Sequence, residues 1–322
     1  MSENSPEPSA KTTPLSVSGL KKIVWAVDPF SENEDFQRAT AWILRQLSVA
    51  THAPVIPTYL HGGYPMELSM REGMPSSSEV QKRAQDSLSA TLRRVEIPTL
   101  QPVQVVADAY GTLRQGADLL TTFARQQGAD LIVASTHGRK GIARAILGSF
   151  AETLIHRSEV PLLIVNPEHE EPSDLGKILF STDFSPESRL AFDQLIGFAK
   201  SLNSRVRLFH KIGYLLSPGL EPTFGYPLPA GVIKAELESC QAEARLWVDS
   251  AAKQGVTVEV AIDSTTVGSA AAAVLAESAR EKASIAMAAQ SGPASSILLG
   301  STTRKVLREA PHPVWVFYHK HS

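Results

Sequence analysis

The sequence predicts an α/β protein built as two tandem doubly wound domains, each a five-stranded parallel sheet flanked by helices. Three observations carry this. First, an apolar strand that ends in aspartate and runs into a helix is written twice, as KKIVWAVDPFSENEDFQRA (21–39) and GKILFSTDFSPESRLAF (176–192). Second, a Gly-Ser pair that opens a helix before a last apolar strand is also written twice, as ILGSFAETLIHRSEVPLLIV (146–165) and LLGSTTRKVLREAPHPVWVF (298–317). Asp28 and Asp183 lie 155 positions apart, and Gly148-Ser149 and Gly300-Ser301 lie 152 apart, so one unit is duplicated with a net loss of three residues. Third, strands alternate with helical patterns inside each unit, which implies parallel strands and right-handed crossovers. A length of 322 residues accommodates two such units.

In the first unit, Ile23 to Val27 is a near-continuous apolar run, as expected of a parallel strand covered on both faces. Ser31 and Glu34 have capping-box spacing, and Phe36, Ala39, Ile43 and Leu47 then recur at helical intervals. Ala53 to Leu60 reads as the second strand. Pro57 cannot donate to a ladder, so this strand is expected to be bulged or interrupted. A long loop (61–78) precedes a helix reaching about Arg94, and a strand follows at Val103–Val106. Leu113, Ala117, Leu120 and Ala124 mark the next helix, Leu131–Ala134 a short strand and Leu162–Val165 the last one.

The second unit repeats this order, with strands near Ile178–Ser181, Val206–Phe209, Val258–Ile262, Ile285–Ala288 and Val314–Phe317. Val267, Ala271 and Val274 mark its third helix. The expected domains are 20–166 and 176–318. The acidic, proline-containing segment 167–175 links them, and residues 1–19 and 319–322 are tails. The last strands of the two units, Leu162–Val165 and Val314–Phe317, are expected to pair within the chain as a pseudo-dimer, since an open strand edge invites pairing. The whole chain could dimerise again.

Composition narrows the function. Apolar residues make up 43% and charged residues 20%, with a net charge of −2, which argues against a general nucleic-acid binder or a polybasic membrane binder. The single cysteine, Cys240, permits neither an internal disulfide nor a multi-cysteine zinc site, and it suggests a reducing, cytoplasmic setting. No run of 18 apolar residues is present, and the N-terminal segment lacks an apolar signal core. There is no G-x-x-x-x-G-K-[ST], no G-x-S-x-G and no H-E-x-x-H; His319 and His321 read as part of a solvated tail.

The segment ASTHGRKGIARAILGS (134–149) could carry chemistry. Gly138 and Gly148 permit close backbone approach to a ligand, and Ser149 with Glu152 has capping-box spacing, so Ser149 is expected to open a helix. A helix start offers unpaired N–H groups and partial positive charge, which suit phosphate, and Arg139, Lys140 and Arg144 add charge nearby. The alternative is that the glycines only shape a turn and the basic residues only face solvent. Asp28 closes the first strand, beside the end of the fourth, where such sheets bind ligands. It reads equally as a turn aspartate or as ligand-facing.

These segments resemble the universal stress proteins. STDFSPESRLAF (181–192) looks like the opening of that family's domain, and STHG (135–138), Gly148-Ser149 and VPLLIV (160–165) look like its close. The resemblance covers residues 20–166 and 176–318, as in a tandem member. It implies a nucleotide-binding fold of the adenine-nucleotide α-hydrolase, Rossmann-like type, with ATP or AMP as ligand and Mg²⁺ beside a triphosphate. By resemblance, Ala26, Val27 and Asp28 line the adenosine side and Leu60 touches adenine. Ala134, Ser135, His137, Gly138, Gly148, Ser149 and Phe150 then wrap ribose and phosphates, with Ser135 standing where the family pattern has its first glycine. The second unit departs further. Its loop AAQSGPASSILLGS (288–301) has Gln290 where the glycine belongs, Gly292 two positions late, Pro293 after it and no basic residue. Thr182, Asp183, Lys211, Gly292, Gly300 and Ser301 would form a weaker second site. The resemblance implies a stress-response regulator or sensor. An interaction module with decayed sites is the alternative, and slow ATP hydrolysis is the least supported reading. The loops at 61–78 and 213–230 are placed to cover the pockets.

Overall fold

The computed structural model describes residues 19–30, 34–62, 77–92, 95–108, 112–136, 148–166, 175–212, 230–265, 268–289 and 300–318. The tails, most of the linker, the two glycine loops and the greater part of both long loops therefore lie outside the described residues. So do Ser31, Val267, His319 and His321.

The first half runs β1 (Ile23–Ala26), α1 (Glu34–Thr51), β2 (Val55–Gly62), α2 (Ser77–Thr91), β3 (Gln104–Asp108), α3 (Leu113–Gln126), β4 (Leu131–Ser135), α4 (Ser149–Arg157) and β5 (Leu162–Val165). The second half repeats it as β6 (Lys177–Ser181), α5 (Pro186–Leu202), β7 (Arg205–Lys211), α6 (Ala230–Lys253), β8 (Val258–Asp263), α7 (Ala270–Glu281), β9 (Ser284–Ala289), α8 (Ser301–Glu309) and β10 (Val314–Tyr318). The ten strands form one sheet in the order β3-β2-β1-β4-β5-β10-β9-β6-β7-β8. Within each half all pairings are parallel, and the order reverses between β1 and β4 and between β6 and β9. The halves merge where β5 and β10 pair antiparallel, with Trp315 opposite Leu163, which is the intrachain pairing expected of the last strands.

Side chains alternate across the sheet, so each half buries two faces. Ile23 and Trp25 of β1 enter a cluster with Leu44 and Leu47 of α1, Leu88 of α2, Phe192 and Phe198 of α5 and Trp247 of α6. Val24 enters the opposite cluster with Leu120 of α3, Leu154 of α4, Val274 of α7 and Val306 of α8. Burial of this apolar area on both faces is the main force holding the halves together.

Pro57 sits in β2 with Trp25 of β1 opposite, and β2 itself continues through it. The interruption falls on the other side. Val55 bridges Leu100, whereas Thr58 pairs with Gln104, so the neighbouring chain carries one extra residue along the stretch where Pro57 has no N–H to offer.

Each half also reaches into the other through the segment leading into its first strand. Gly19 lies against α5, where a Cβ on it would run into Ser201 Oγ. At the equivalent place in the second half, the Leu175 amide donates to Gln46 Oε1 of α1 at 3.2 Å. Tyr318, at the end of β10, is 2% exposed and donates its hydroxyl to the Ile155 carbonyl in the last turn of α4 at 2.8 Å.

Candidate functional site

The carboxyl ends of β1 and β4 lie side by side, with Ala26 opposite Ala134. Beyond β1 the ladder extends by one bond, from the Val27 amide to the Thr58 carbonyl at 3.1 Å, and Val27 is buried. The chain then turns outward, and Asp28 is exposed. Asp28 Oδ1 accepts the Phe30 amide at 3.1 Å, an aspartate turn. Two helices pin this turn: Gln37 of α1 donates its side-chain amide to the Asp28 carbonyl, and Ser87 Oγ of α2 donates to the Pro29 carbonyl at 2.6 Å. Nothing in the residue pattern singled out Gln37 or Ser87, because their role depends on tertiary placement. Among the described residues, Asp28 Oδ2 accepts no hydrogen bond.

The floor beside this turn is apolar. Ala26, Leu60 and Phe150 are partly buried against the same cluster that contains Ala134. Ser135 ends β4, and the Thr136 amide continues the ladder to the Val165 carbonyl at 3.0 Å. His137 and Gly138 lie outside the described residues, as do Arg139, Lys140 and Arg144.

Where the glycine loop returns, α4 starts. The helix cap is Gly148 and not Ser149: Gly148 has φ −59° and ψ 140°, and Ser149 is already the first helical residue. The helix thus opens at Ser149 as its spacing with Glu152 predicts, with Gly148 rather than Ser149 in the cap position. Glycine supplies no side-chain oxygen, and no side chain caps this end. The Ser149 carbonyl accepts the Thr153 hydroxyl at 2.7 Å, and the Glu152 amide bonds back to the Gly148 carbonyl at 2.9 Å. Among the described residues no side chain caps the preceding amides of the first turn, and the positive end of the helix dipole lies behind them. The far end of α4 is fixed by Tyr318 and by Arg157, whose guanidinium meets Asp118 of α3 at 2.6 and 2.9 Å.

The second half repeats the frame with different contents. Thr182 is buried, its amide donates to the Phe209 carbonyl at 3.0 Å, and its hydroxyl accepts the Phe184 amide at 2.8 Å. Phe184 takes φ 59°, a left-handed conformation that costs energy for a non-glycine residue. Asp183 is engaged by its own chain: Oδ1 accepts the Ser185 amide at 3.0 Å and the Ser185 and Ser188 hydroxyls at 2.6 Å each. Partial burial pushes this carboxyl upward, but the bonds from Ser185 and Ser188 outweigh it and hold the acid below its ordinary range. Gly300 caps α8 without a side-chain bond, as Gly148 does for α4, and Ser301 is the first helical residue. A Cβ on Gly300 would meet Thr303 Oγ1 at 3.9 Å, an ordinary contact, so no described residue demands glycine there. Lys211 is turned toward β8 and bound to Asp263 and Thr265. Gly292 lies outside the described residues.

The described residues include no group of His, Cys, Asp and Glu able to hold a metal ion, and none of their helices is long and apolar enough to cross a membrane. Cys240 is buried, and burial together with Glu236 pushes its thiol up, away from reactivity.

Comparison with known proteins agrees with this architecture. The model of the universal stress protein family matches residues 19–166 and 175–317. A universal stress protein of Methanocaldococcus jannaschii, MJ0531, is 29% identical over 115 residues, covering 34% of this chain and 65% of the relative's length. A crystal structure of a universal stress protein from Archaeoglobus fulgidus superposes with a TM-score of 0.60 at 18% identity, covering 93% of this chain and 98% of that one. PA1789 from Pseudomonas aeruginosa, described as functionally unknown, superposes with a TM-score of 0.58 at 14% identity, covering 94% of each chain. At these identities the structural likeness shows the fold.

Proposed function

Since the chain belongs to the universal stress protein family, with both halves matched, we propose that it binds an adenine nucleotide, ATP or AMP, in its first half and acts as a cytoplasmic regulator or sensor of stress. The observation that supports this most is the unspent polar capacity at the β1–β4 switch point. One oxygen of Asp28 and the first-turn amides of α4 lack protein partners among the described residues, and both border the apolar floor of Ala26, Leu60, Ala134 and Phe150. A nucleoside phosphate has the matching parts: ribose hydroxyls for the carboxylate, phosphate oxygens for the amides and a flat apolar base for the floor. In this reading Val27 shapes the adenosine wall, while Ser135, His137, Gly138, Gly148 and Ser149 surround ribose and phosphates.

A second reading holds for the second half. Asp183 Oδ1 already accepts three bonds from Ser185 and Ser188, which favours a half retained for packing and partner contacts. Calorimetry with ATP and Mg²⁺ on the full chain tests the first reading. Binding is expected, with Asp28→Ala weakening it about tenfold or more through loss of charge-assisted hydrogen bonds. No heat and no thermal shift at millimolar ATP would overturn it.

A further inference from the structure

The two halves differ in kind at one cross-strand pair. Ile23 lies opposite Val55 and Ile178 opposite Val206, so counting along the second strand of each half makes Leu60 and Lys211 the same position. Leu60 lies opposite Val106 of β3, and Lys211 lies opposite Asp263 of β8. An apolar pair in the first half is thus an ionic pair in the second.

The ionic pair is closed. An ammonium has three donors, and those of Lys211 meet the Thr265 carbonyl, Thr265 Oγ1 at 2.7 Å and Asp263 Oδ2 at 3.0 Å. The lysine side chain is only 5% exposed. Asp263 Oδ1 in turn accepts the Thr265 amide at 2.8 Å. Opening this ring would strand a charge out of water, so the fold resists it. On the neighbouring residue, His210 donates Nδ1–H to the Thr182 carbonyl at 2.8 Å, and its ring lies 5.1 Å from that of Phe184. The strand end is occupied by the protein's own polar contacts.

Resting on the nucleotide reading above, we propose that this cross-strand pair decides which half accepts a base. Leu60 with Val106 presents an apolar wall against which a purine sheds water. Lys211 with Asp263 replaces that wall with a satisfied ion pair that gains nothing from a purine, and the solvent-facing part of Asp263 would lose hydration beside one. The chain therefore takes one nucleotide, in the first half.

The test is calorimetric titration of ATP with Mg²⁺ into the full chain and into the double variant Leu60→Lys/Val106→Asp, which transplants the ion pair. One equivalent per wild-type chain is expected, with affinity in the double variant reduced about tenfold or more. Circular dichroism shows whether that variant is folded. If it is not, Leu60→Gln, which removes the apolar wall without adding a charge, is read the same way. Two equivalents per wild-type chain, or unchanged affinity in the folded variant, overturns the inference and leaves the nucleotide reading standing. No binding by the wild-type chain overturns the nucleotide reading and the role of this pair with it.

Discussion

Asp28 and Asp183 stand at the same place in the repeat, yet among the described residues the first accepts one side-chain bond from its own chain and the second three. Asp183 has a folded pKa below its unfolded value, so its bonds to Ser185 and Ser188 contribute stability above the unfolded pKa, about 3.9. That contribution is lost as pH falls through the folded value. Asp183→Asn should therefore flatten the acid limb of the stability curve, measured by urea unfolding between pH 5 and pH 2 (about the carboxylate range). Ser188 is buried, and Ser188→Ala should cost about 1 kcal/mol at neutral pH in the same assay. A second cluster gives an independent check. Arg207 reaches Glu277 at 2.6 Å and Glu259 at 3.0 Å, with Arg280 also on Glu277 at 2.5 Å. Arg207→Met should cost about 1–3 kcal/mol because it leaves Glu277 partly buried and less well paired, and added salt should shrink the loss. The duplicated aspartates were legible from spacing alone. The pairing of Lys211 with Asp263 was not, because the two are 52 positions apart and meet only once the register of β7 and β8 is known.

At the scale of elements, the repeat and its strand–helix alternation were legible because burial on both faces forces continuous apolar strands such as Leu131–Ser135 and Leu162–Val165. Pro57 was legible as a disturbance, but its outcome was not. The proline keeps its place in β2, and the extra residue falls in the segment opposite, around Gln101–Val103. The start of α4 at Ser149 was legible, but its cap was not, since a serine followed by glutamate three positions on has the same spacing whether or not a glycine takes the cap. The last turn of α4 depends on the other half: Tyr318 is buried, its hydroxyl is spent on the Ile155 carbonyl, and burial pushes its pKa well up. Tyr318→Phe should lower unfolding free energy by about 1 kcal/mol, with the carbonyl left unpaired out of water, and chemical denaturation measures it.

Over the whole molecule, the seam explains why the halves behave as one body. Trp315 and Phe317 of β10 pack edge-on against Phe198, with ring centroids 6.3 and 5.6 Å away, and the first apolar cluster runs through both halves. Residues 19–166 expressed alone would expose β5, whose four residues are buried in the full chain, and should self-associate in light scattering. A monomer would contradict the seam's role. The reciprocal lead-ins give a finer test. Gly19→Ala should cost about 1 kcal/mol or less, because its Cβ would turn Ser201 Oγ away from the Gly197 carbonyl, and in a Ser201→Ala background that penalty should disappear, a coupling that a double-mutant cycle reads directly. Joining the halves through β5 and β10 in opposite senses has one more effect. It turns the carboxyl end beyond Asp28 and the carboxyl end beyond Asp183 toward opposite rims of the slab, so a partner seated on one rim faces only one of the two aspartates.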